Sequence, residues 1–308
     1  MLKKTTLLPI QEVSQRLIFT MLSRSFLLIS LILYLANASA MERKYIAPME
    51  QSSWQMTVAT PLHCEMEHEI PRFGKAVFSQ TAGRDLQLKL VTHQRFKSGI
   101  DVAFLSESPH WKPAKTQLKM ASLATRDDGV ILKVGTETAK YAYLELHDGF
   151  HPGFHFATNK DLIDPTIVMM STVRFRSVEP DFEQCLRNLY FENFEDVRIS
   201  SIHFDHDDEF PRIEEEDTAL QRMYDYLDVD NLISSIVVSG HADLNGAICY
   251  NDTLSERRAL YVYDMLVDKG IDPRMITMDY FGELRPLMKG NSAEALAANR
   301  RVTVELRR

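Results

Sequence analysis

The sequence holds only three cysteines in 308 residues, too few for a small scaffold stapled by disulfides. No run of about 18 apolar residues occurs, so nothing in it reads as an ordinary membrane span. Positive charge is in the minority. The 35 Lys and Arg against 43 Asp and Glu leave a formal net charge of −8, which argues against broad adhesion to nucleic acid or anionic lipid. A G-x-S-x-G elbow, a Walker loop and an H-E-x-x-H pair are all missing, as are internal repeats and low-complexity linkers. What remains is an ordinary globular composition, 45% hydrophobic and 25% charged, at a length that suggests two domains.

From Met21 the chain reads as an export leader. Arg24 gives a positive start, residues 26–35 are apolar except for Ser30, and Ala38-Ser39-Ala40 supplies small residues at −3 and −1 of a cleavage site. The competing reading is a buried helix of the mature fold. Residues 1–20 are polar and precede a second Met, which points to Met21 as the true start and to residues 1–40 as a signal peptide. No cysteine follows the cleavage position, so a lipid anchor is not expected there. Loss of Lys3, Lys4, Arg16, Arg24 and Glu12 takes the net charge from −8 to −11. In an oxidising compartment two of the three cysteines can pair. A Cys64–Cys185 bridge would close a loop of roughly 120 residues, with an upper estimate of about 4–5 kcal/mol from chain entropy. Three free thiols are the alternative, and Cys249 has no evident partner.

The expected fold class is α+β, with a β-rich antiparallel unit followed by an α/β sandwich. Over 41–195, short β-like runs at 75–79, 86–91, 101–104, 130–134, 141–146 and 166–175 are punctuated by Pro and Gly, as in an antiparallel sandwich or partial barrel. One amphipathic helix over 181–190 closes this unit. Over 196–308 the rhythm changes to a strand at 197–204, a helix at 214–227, a strand at 236–239, a helix at 253–269 ending at Gly270, and strands at 275–281 and 302–306. The order β-α-β-α-β-β suits two helices against one small mixed sheet.

Catalytic readings are weak. His147, His151 and His155 are spaced for one helical face, but Gly149, Pro152 and Gly153 forbid the helix, which leaves loop histidines. The run His203-Phe204-Asp205-His206-Asp207-Asp208 is rich in metal ligands, yet neighbours at a strand end point in alternate directions, and a solvated acidic turn explains it better. No catalytic residue, metal or cofactor is expected. A stronger pattern is Gly240-His241-Ala242-Asp243-Leu244-Asn245-Gly246 followed by Asn251 and Arg258. A strand ends at Gly240, a loop carries Asp243, and Asn251 or Thr253 can cap the next helix. Arg258, one or two turns in, leans back towards the loop. Asp243 and Arg258 can then face one concavity and take the ammonium and carboxylate of an amino-acid zwitterion. An Asp243–Arg258 salt bridge that merely pins the loop is the open alternative.

The stretch 197–308 resembles the OmpA-like peptidoglycan-binding domain, whose pattern is G-H-T-D-x-x-G, N-x-x-L-S-x-x-R-A and N-R-R-V. The matches are Gly240-His241, Asp243, Gly246, Asn251, Leu254-Ser255, Arg258-Ala259 and Asn299-Arg300-Arg301-Val302. The resemblance implies that Asp243 and Arg258 grip the diaminopimelate of the peptide stem and that Asp205 and Asn251 assist. Ala242 stands where the family has Thr, so one hydroxyl hydrogen bond is missing, and Tyr280-Phe281-Gly282 replaces Gly-Tyr-Gly.

The N-terminal half, through Gln51-Ser52, Trp54, Met56, Pro61-Leu62-His63-Cys64, Phe73-Gly74, Ala76-Val77-Phe78-Ser79, Cys185, Asn188-Leu189 and Phe194-Glu195-Asp196, resembles the MotY family of periplasmic flagellar-motor proteins. That resemblance implies a disulfide between Cys64 and Cys185. It also implies a place in a basal-body ring (the T ring), self-association in that ring, and contacts with other ring proteins. The remaining partners are peptidoglycan and the stator complex of a sodium-type motor (PomA/PomB type), with no nucleic acid. Two rival readings are a general periplasmic wall tether with no motor role and a metal-dependent enzyme built on His203, Asp205 and His206.

Overall fold

The computed structural model describes residues 42–113, 118–126, 129–158, 164–211 and 213–308, the side chains of 213–219 excepted. The expected leader over 1–40 lies outside the described residues. Two five-stranded sheets make up the first part of the chain. One has the order β2 (Trp54–Ala59), β3 (His63–Ile70), β4 (Gly74–Thr81), β5 (Gln87–Thr92), β8 (Val130–Val134), antiparallel throughout. The other has the order β1 (Arg43–Tyr45), β10 (Thr166–Met169), β9 (His151–Phe156), β6 (Asp101–Glu107), β7 (Leu118–Ala124), in which only β1 and β10 run parallel. Period-2 alternation explains the strands. In β3, Cys64, Met66, His68 and Ile70 are buried, while Glu65, Glu67 and Glu69 point outward. Both sheets feed one core through Phe78, Leu88, Phe104 and Phe154.

Two helices close this core, and they depart from the sequence reading. Residues 141–146, expected as a strand, belong to α1 (Thr136–His147), which buries Ala139, Ala142 and Leu146 along one stripe. Its alternating tyrosines and leucines imitate a strand, but the spacing of the alanines is helical. The expected strand over 166–175 stops at Met169, and α2 (Phe175–Arg187) begins six residues ahead of Asp181. Pro180 sits inside α2. It looks like a helix start, but Phe175, wholly buried against Trp54 and Tyr143, extends the helix N-terminal to it. His151 and His155, expected in a loop, lie in β9.

A disulfide joins Cys64 at the head of β3 to Cys185 near the end of α2. From there the chain passes through α3 (Phe194–Val197) into a four-stranded sheet. Its order is β11 (Ile199–His203), β14 (Arg301–Arg307), β12 (Ser235–Gly240), β13 (Ile276–Tyr280), with only β12 and β13 parallel. Against it lie α4 (Ile213–Leu227) and α5 (Ile248–Asp268), burying Leu220, Met223, Val262 and Leu266 on Ile202, Ile236, Val302 and Val304. The expected β-α-β-α-β-β order is present with one short helix added, α6 (Ala293–Asn299), before the last strand. The start of α5 also differs. Its N-cap is Ala247, without a side-chain bond, so Asn251 and Thr253 lie within the helix and cap nothing. Gly240 permits the close approach of α5 to β12: a Cβ there would lie 2.0 Å from the carbonyl oxygen of Ser255.

At the junction of the two cores, the Tyr190 N–H donates to the Pro61 carbonyl at 2.7 Å. Leu62, Tyr190 and Phe194 pack on the second core, the two rings against Tyr226. Arg308 lies over the Phe194 ring at 4.1 Å and pairs with buried Asp230 at 2.7 Å.

Burial of His68 contributes to a pH dependence of stability. His68 stacks on Trp54, donates from Nδ1 to the Ser53 carbonyl at 2.7 Å, and accepts the Ser171 N–H at Nε2. Burial pushes its pKa down to about 4. The unfolded chain binds this proton near pH 6.5 and the folded chain only near pH 4, so stability falls as pH drops through that window and levels off below it. Urea titrations at pH 7 and pH 4 are expected to differ by up to about 3 kcal/mol from this group, and His68→Gln is expected to remove that share while His241, also pushed down to about 4 by burial, keeps its own.

Candidate functional site

The loops that follow β11 and β12 meet at one end of the second sheet, with the first turns of α5 between them and Arg300 entering just ahead of β14. They enclose a cavity of about 390 Å³ whose lining includes Asp207, Asp243, Tyr250, Asn251, Arg258 and Arg300. Cavities of about 380 and 430 Å³ occur on the first part of the chain, so size alone does not single this one out. Its chemistry does, because it contains buried charges of both signs.

Arg258 projects from the third turn of α5 and is wholly buried. Its Nε donates to the Asp208 carbonyl at 2.8 Å, Nη2 to the Asp205 carbonyl at 3.0 Å, and Nη1 to the His241 carbonyl at 3.3 Å. The Phe204 ring lies 5.0 Å below the guanidinium. Burial lowers its pKa to about 10 and the Arg300 charge adds to this, while Asp243 opposes it. The group therefore stays a cation at neutral pH. Three of its five N–H groups are occupied by backbone, which fixes the fork and leaves two for a ligand.

Asp243 is 5% exposed. Its Oδ1 accepts the Asn245 N–H at 2.9 Å, and its Oδ2 accepts Nη1 of Arg300 at 3.0 Å. The ion pair of Asp243 is thus with Arg300, and the alternative in which Asp243 and Arg258 simply neutralise each other is not what the chain builds. Arg300 is held in turn by donation from Nε to the Phe204 carbonyl at 3.1 Å. Asn251 is buried and bridges two loops, its Nδ2 donating to the Asp243 carbonyl at 3.1 Å and to Glu283 Oε2 at 2.6 Å. The Tyr250 hydroxyl donates to Asp207. Ser255 accepts the Gly282 N–H at 2.9 Å, and Asn299 accepts the N–H groups of Leu287 and Met288, which anchors the loop after β13.

Of the four site residues named from sequence, Asp243, Asn251 and Arg258 meet at this cavity. Asp205 does not line it. Its carbonyl serves Arg258 and its side chain is exposed, while His206 and Asp207 of the same loop face the space. The reason is local: Asp207 has φ of 62°, and this left-handed residue turns the loop after the strand ends. The sequence reading missed Asp207, Tyr250, Glu283 and Arg300. Arg300 left a signal, since it sits in the Asn299-Arg300-Arg301 run just before β14, with no role assigned to it. The three histidines of the first part are dispersed: His147 pairs with Glu179 at 2.7 Å, His155 with Glu107 at 2.8 Å, and His151 is buried. Among the described residues no three His, Cys, Asp or Glu side chains converge as metal ligands would. Cys249 is an exposed free thiol.

Residues 209–300 match the OmpA family and residues 45–190 match the MotY N-terminal domain. The chain therefore carries a MotY N-terminal domain match followed by an OmpA family match. Over 279 residues it is 29% identical to the sodium-type flagellar protein MotY of Vibrio parahaemolyticus, covering 89% of this chain and 94% of that protein. Outer membrane protein A of Bordetella avium is 43% identical over 74 residues, 24% of this chain and 38% of its own length. The peptidoglycan-associated lipoprotein of Pseudomonas putida is 41% identical over 73 residues, 24% of this chain and 43% of its own length. No helix among the described residues is long and apolar enough to cross a membrane.

The Asp243–Arg300 pair makes a stability prediction. Arg300→Gln removes the ion-pair partner of a carboxylate that is 5% exposed, and urea unfolding of this variant is expected to show a loss of about 2–4 kcal/mol. Unchanged stability would mean that Arg258 alone neutralises Asp243.

Proposed function

We propose that this chain is a non-enzymatic anchor of the flagellar motor, whose domain over 196–308 holds diaminopimelate-type peptidoglycan. The observation that carries the reading is a cavity with a buried carboxylate and a buried guanidinium, each already oriented by backbone and each with hydrogen-bonding capacity left over. Asp243 takes the ammonium of the diaminopimelate side chain and Arg258 takes its carboxylate. Asn251 holds the loop that carries Asp243, and the loop that begins at Asp205 closes the other side. Charge-assisted hydrogen bonds contribute about 1.5–3 kcal/mol each, so a single site binds modestly and a ring of copies supplies the rest by avidity.

The domain over 41–195 docks, in this reading, on ring proteins of the basal body and helps to recruit and hold the stator complex. Similarity along nearly the whole length to a sodium-type flagellar protein supports this half of the proposal. The chain works in the periplasm after export and needs no cofactor. A stator that delivers torque must be fixed to something stationary, and the wall is the rigid network within reach.

Co-sedimentation with purified wall sacculi tests the site. The wild-type chain is expected in the pellet, and Asp243→Asn and Arg258→Lys are expected to lose at least ten-fold in bound fraction with their circular dichroism unchanged. Equal sedimentation of all three proteins would overturn the site. A deletion strain that swims normally would refute the motor role and leave a general wall tether.

A further inference from the structure

The first part of the chain has a cleft that the wall site does not use. It measures about 430 Å³ and lies beside β1, between the segment that continues β1 and the loop after β6. Ala47, Pro109, Met169, Ser171 and His151 form its buried side, and His151 is only 5% exposed. Trp111 and Met49 line it too, 47% and 54% exposed. The Trp111 ring stands perpendicular to the His151 ring, with centroids 5.5 Å apart. Several polar groups of the lining are already engaged. Glu107 pairs with His155 at 2.8 Å and lies 3.7 Å from Lys44, and the Ser171 hydroxyl accepts the Val173 N–H at 3.3 Å. His151 differs. Its Nδ1 faces the backbone, with the Met170 carbonyl oxygen and the Thr172 nitrogen each 3.1 Å away. The Thr172 N–H points at Nδ1, so Nδ1 accepts and the ring proton resides on Nε2. Nε2 has no hydrogen-bond partner among the described residues, and it lies on the ring edge turned away from that backbone. Burial lowers the pKa of this histidine, so the ring is neutral near pH 7 and its free proton is an uncharged donor. A donor held among apolar groups costs free energy until something accepts from it.

We propose that this cleft is a docking pocket for a tyrosine side chain carried on an extended segment of a partner protein. An apolar, aromatic-walled space with an open donor on its buried side suits an apolar ring that bears one hydroxyl. The phenolic oxygen accepts the Nε2 proton of His151, and the ring packs against Trp111 and the Met169 thioether. A sugar would leave most of its hydroxyls unpaired there, and an aliphatic side chain would leave Nε2 unpaired. The extended segment follows from where the cleft lies. β1 is the outermost strand of its sheet and pairs with β10 alone among the described residues. Lys44 within β1, and Ile46 and Ala47 just beyond it, line the cleft. A strand added along that edge gains main-chain hydrogen bonds and turns every second side chain to one face, which delivers a tyrosine to the pocket. Neither Asp243 nor Arg258 takes part, so the inference stands apart from the wall reading.

Ligand-observed NMR titrations on the full chain test the pocket. The probes are capped pentapeptides of valine and threonine whose central residue is tyrosine, phenylalanine or leucine. The wild-type chain is expected to bind the tyrosine peptide about three- to tenfold more tightly than the phenylalanine peptide, the worth of one neutral hydrogen bond, and the leucine peptide more weakly still. In the isotope-labelled chain, which has two tryptophans, the indole N–H signal of Trp111 is expected to move on titration. Trp111→Ala is expected to lose at least about tenfold in affinity for the tyrosine peptide and to sediment with wall sacculi as the wild type does. A tyrosine peptide that fails to bind the wild type, or that binds Trp111→Ala equally, overturns the inference. Equal binding of the tyrosine and phenylalanine peptides overturns it as well, because His151 would then select nothing. Self-association of the wild type that Trp111→Ala abolishes, with no peptide bound, would make a second copy the occupant and overturn the extended segment. Wall binding is read from the sacculi alone, so the two readings stand or fall separately.

Discussion

A guanidinium with no exposed surface has to be held by something other than water, and the way Arg258 is held organises the whole C-terminal site. Its three backbone acceptors come from the loop after β11 and from the residue just past β12, so one side chain on α5 locks two separate strand ends at a fixed spacing. Past the strand ends these carbonyls are no longer taken by the sheet ladder, and the one of Asp205 is shared between the guanidinium and the Asp208 N–H. The close approach allowed by Gly240 brings α5 within reach. The cation in turn makes it tolerable to bury Asp243 beside it, and Arg300 completes the balance of charge. Remove the guanidinium and the loops lose their common anchor, and the buried carboxylate loses one of its two cations.

Much of this was legible in the sequence, and the parts that were not share a cause. Asp243 and Arg258 could be placed together because a strand end, a glycine-bearing loop and the lean of helical side chains are all local properties. Asp207 could not be preferred over Asp205, since the choice depends on a left-handed turn at one non-glycine residue. Arg300 is more than fifty residues from Asp243, and only the pairing of β14 with β11 and β12 brings it there. In the first part, the strands with clean alternation were readable. Residues 141–146 were not, because tyrosines and leucines on a helix that is half exposed copy a two-residue period. The helix start at Phe175 is set by tertiary packing against Trp54, which no window around Pro180 contains.

The two parts divide the work by surface chemistry. The β-rich part buries Trp54, Phe78, Phe104, Phe154 and Phe175 in a core shared by two sheets, and His68, His147 and His155 are taken up by structural bonds. The second part buries Asp243, Arg258 and Arg301 near one set of strand ends. The stretch that matches the OmpA family carries most of the charged cleft, and the stretch that matches the MotY N-terminal domain carries the two-sheet core.

The covalent bond between Cys64 and Cys185 sits within a few residues of the junction on both of its arms, since Leu62 precedes one cysteine and Tyr190 follows the other. Tension applied along the polypeptide between the two cores enters the β-rich part at the end of α2. There it passes through sulfur directly into the second strand of a five-stranded sheet. Shear is then shared across that sheet's hydrogen-bonded ladder, so α2 is not peeled away turn by turn from its C-terminal end. With a sequence separation of 121 between the cysteines, the link forms only after almost all of that part of the chain has been made, so the chain acquires its resistance to pulling late in its own biogenesis.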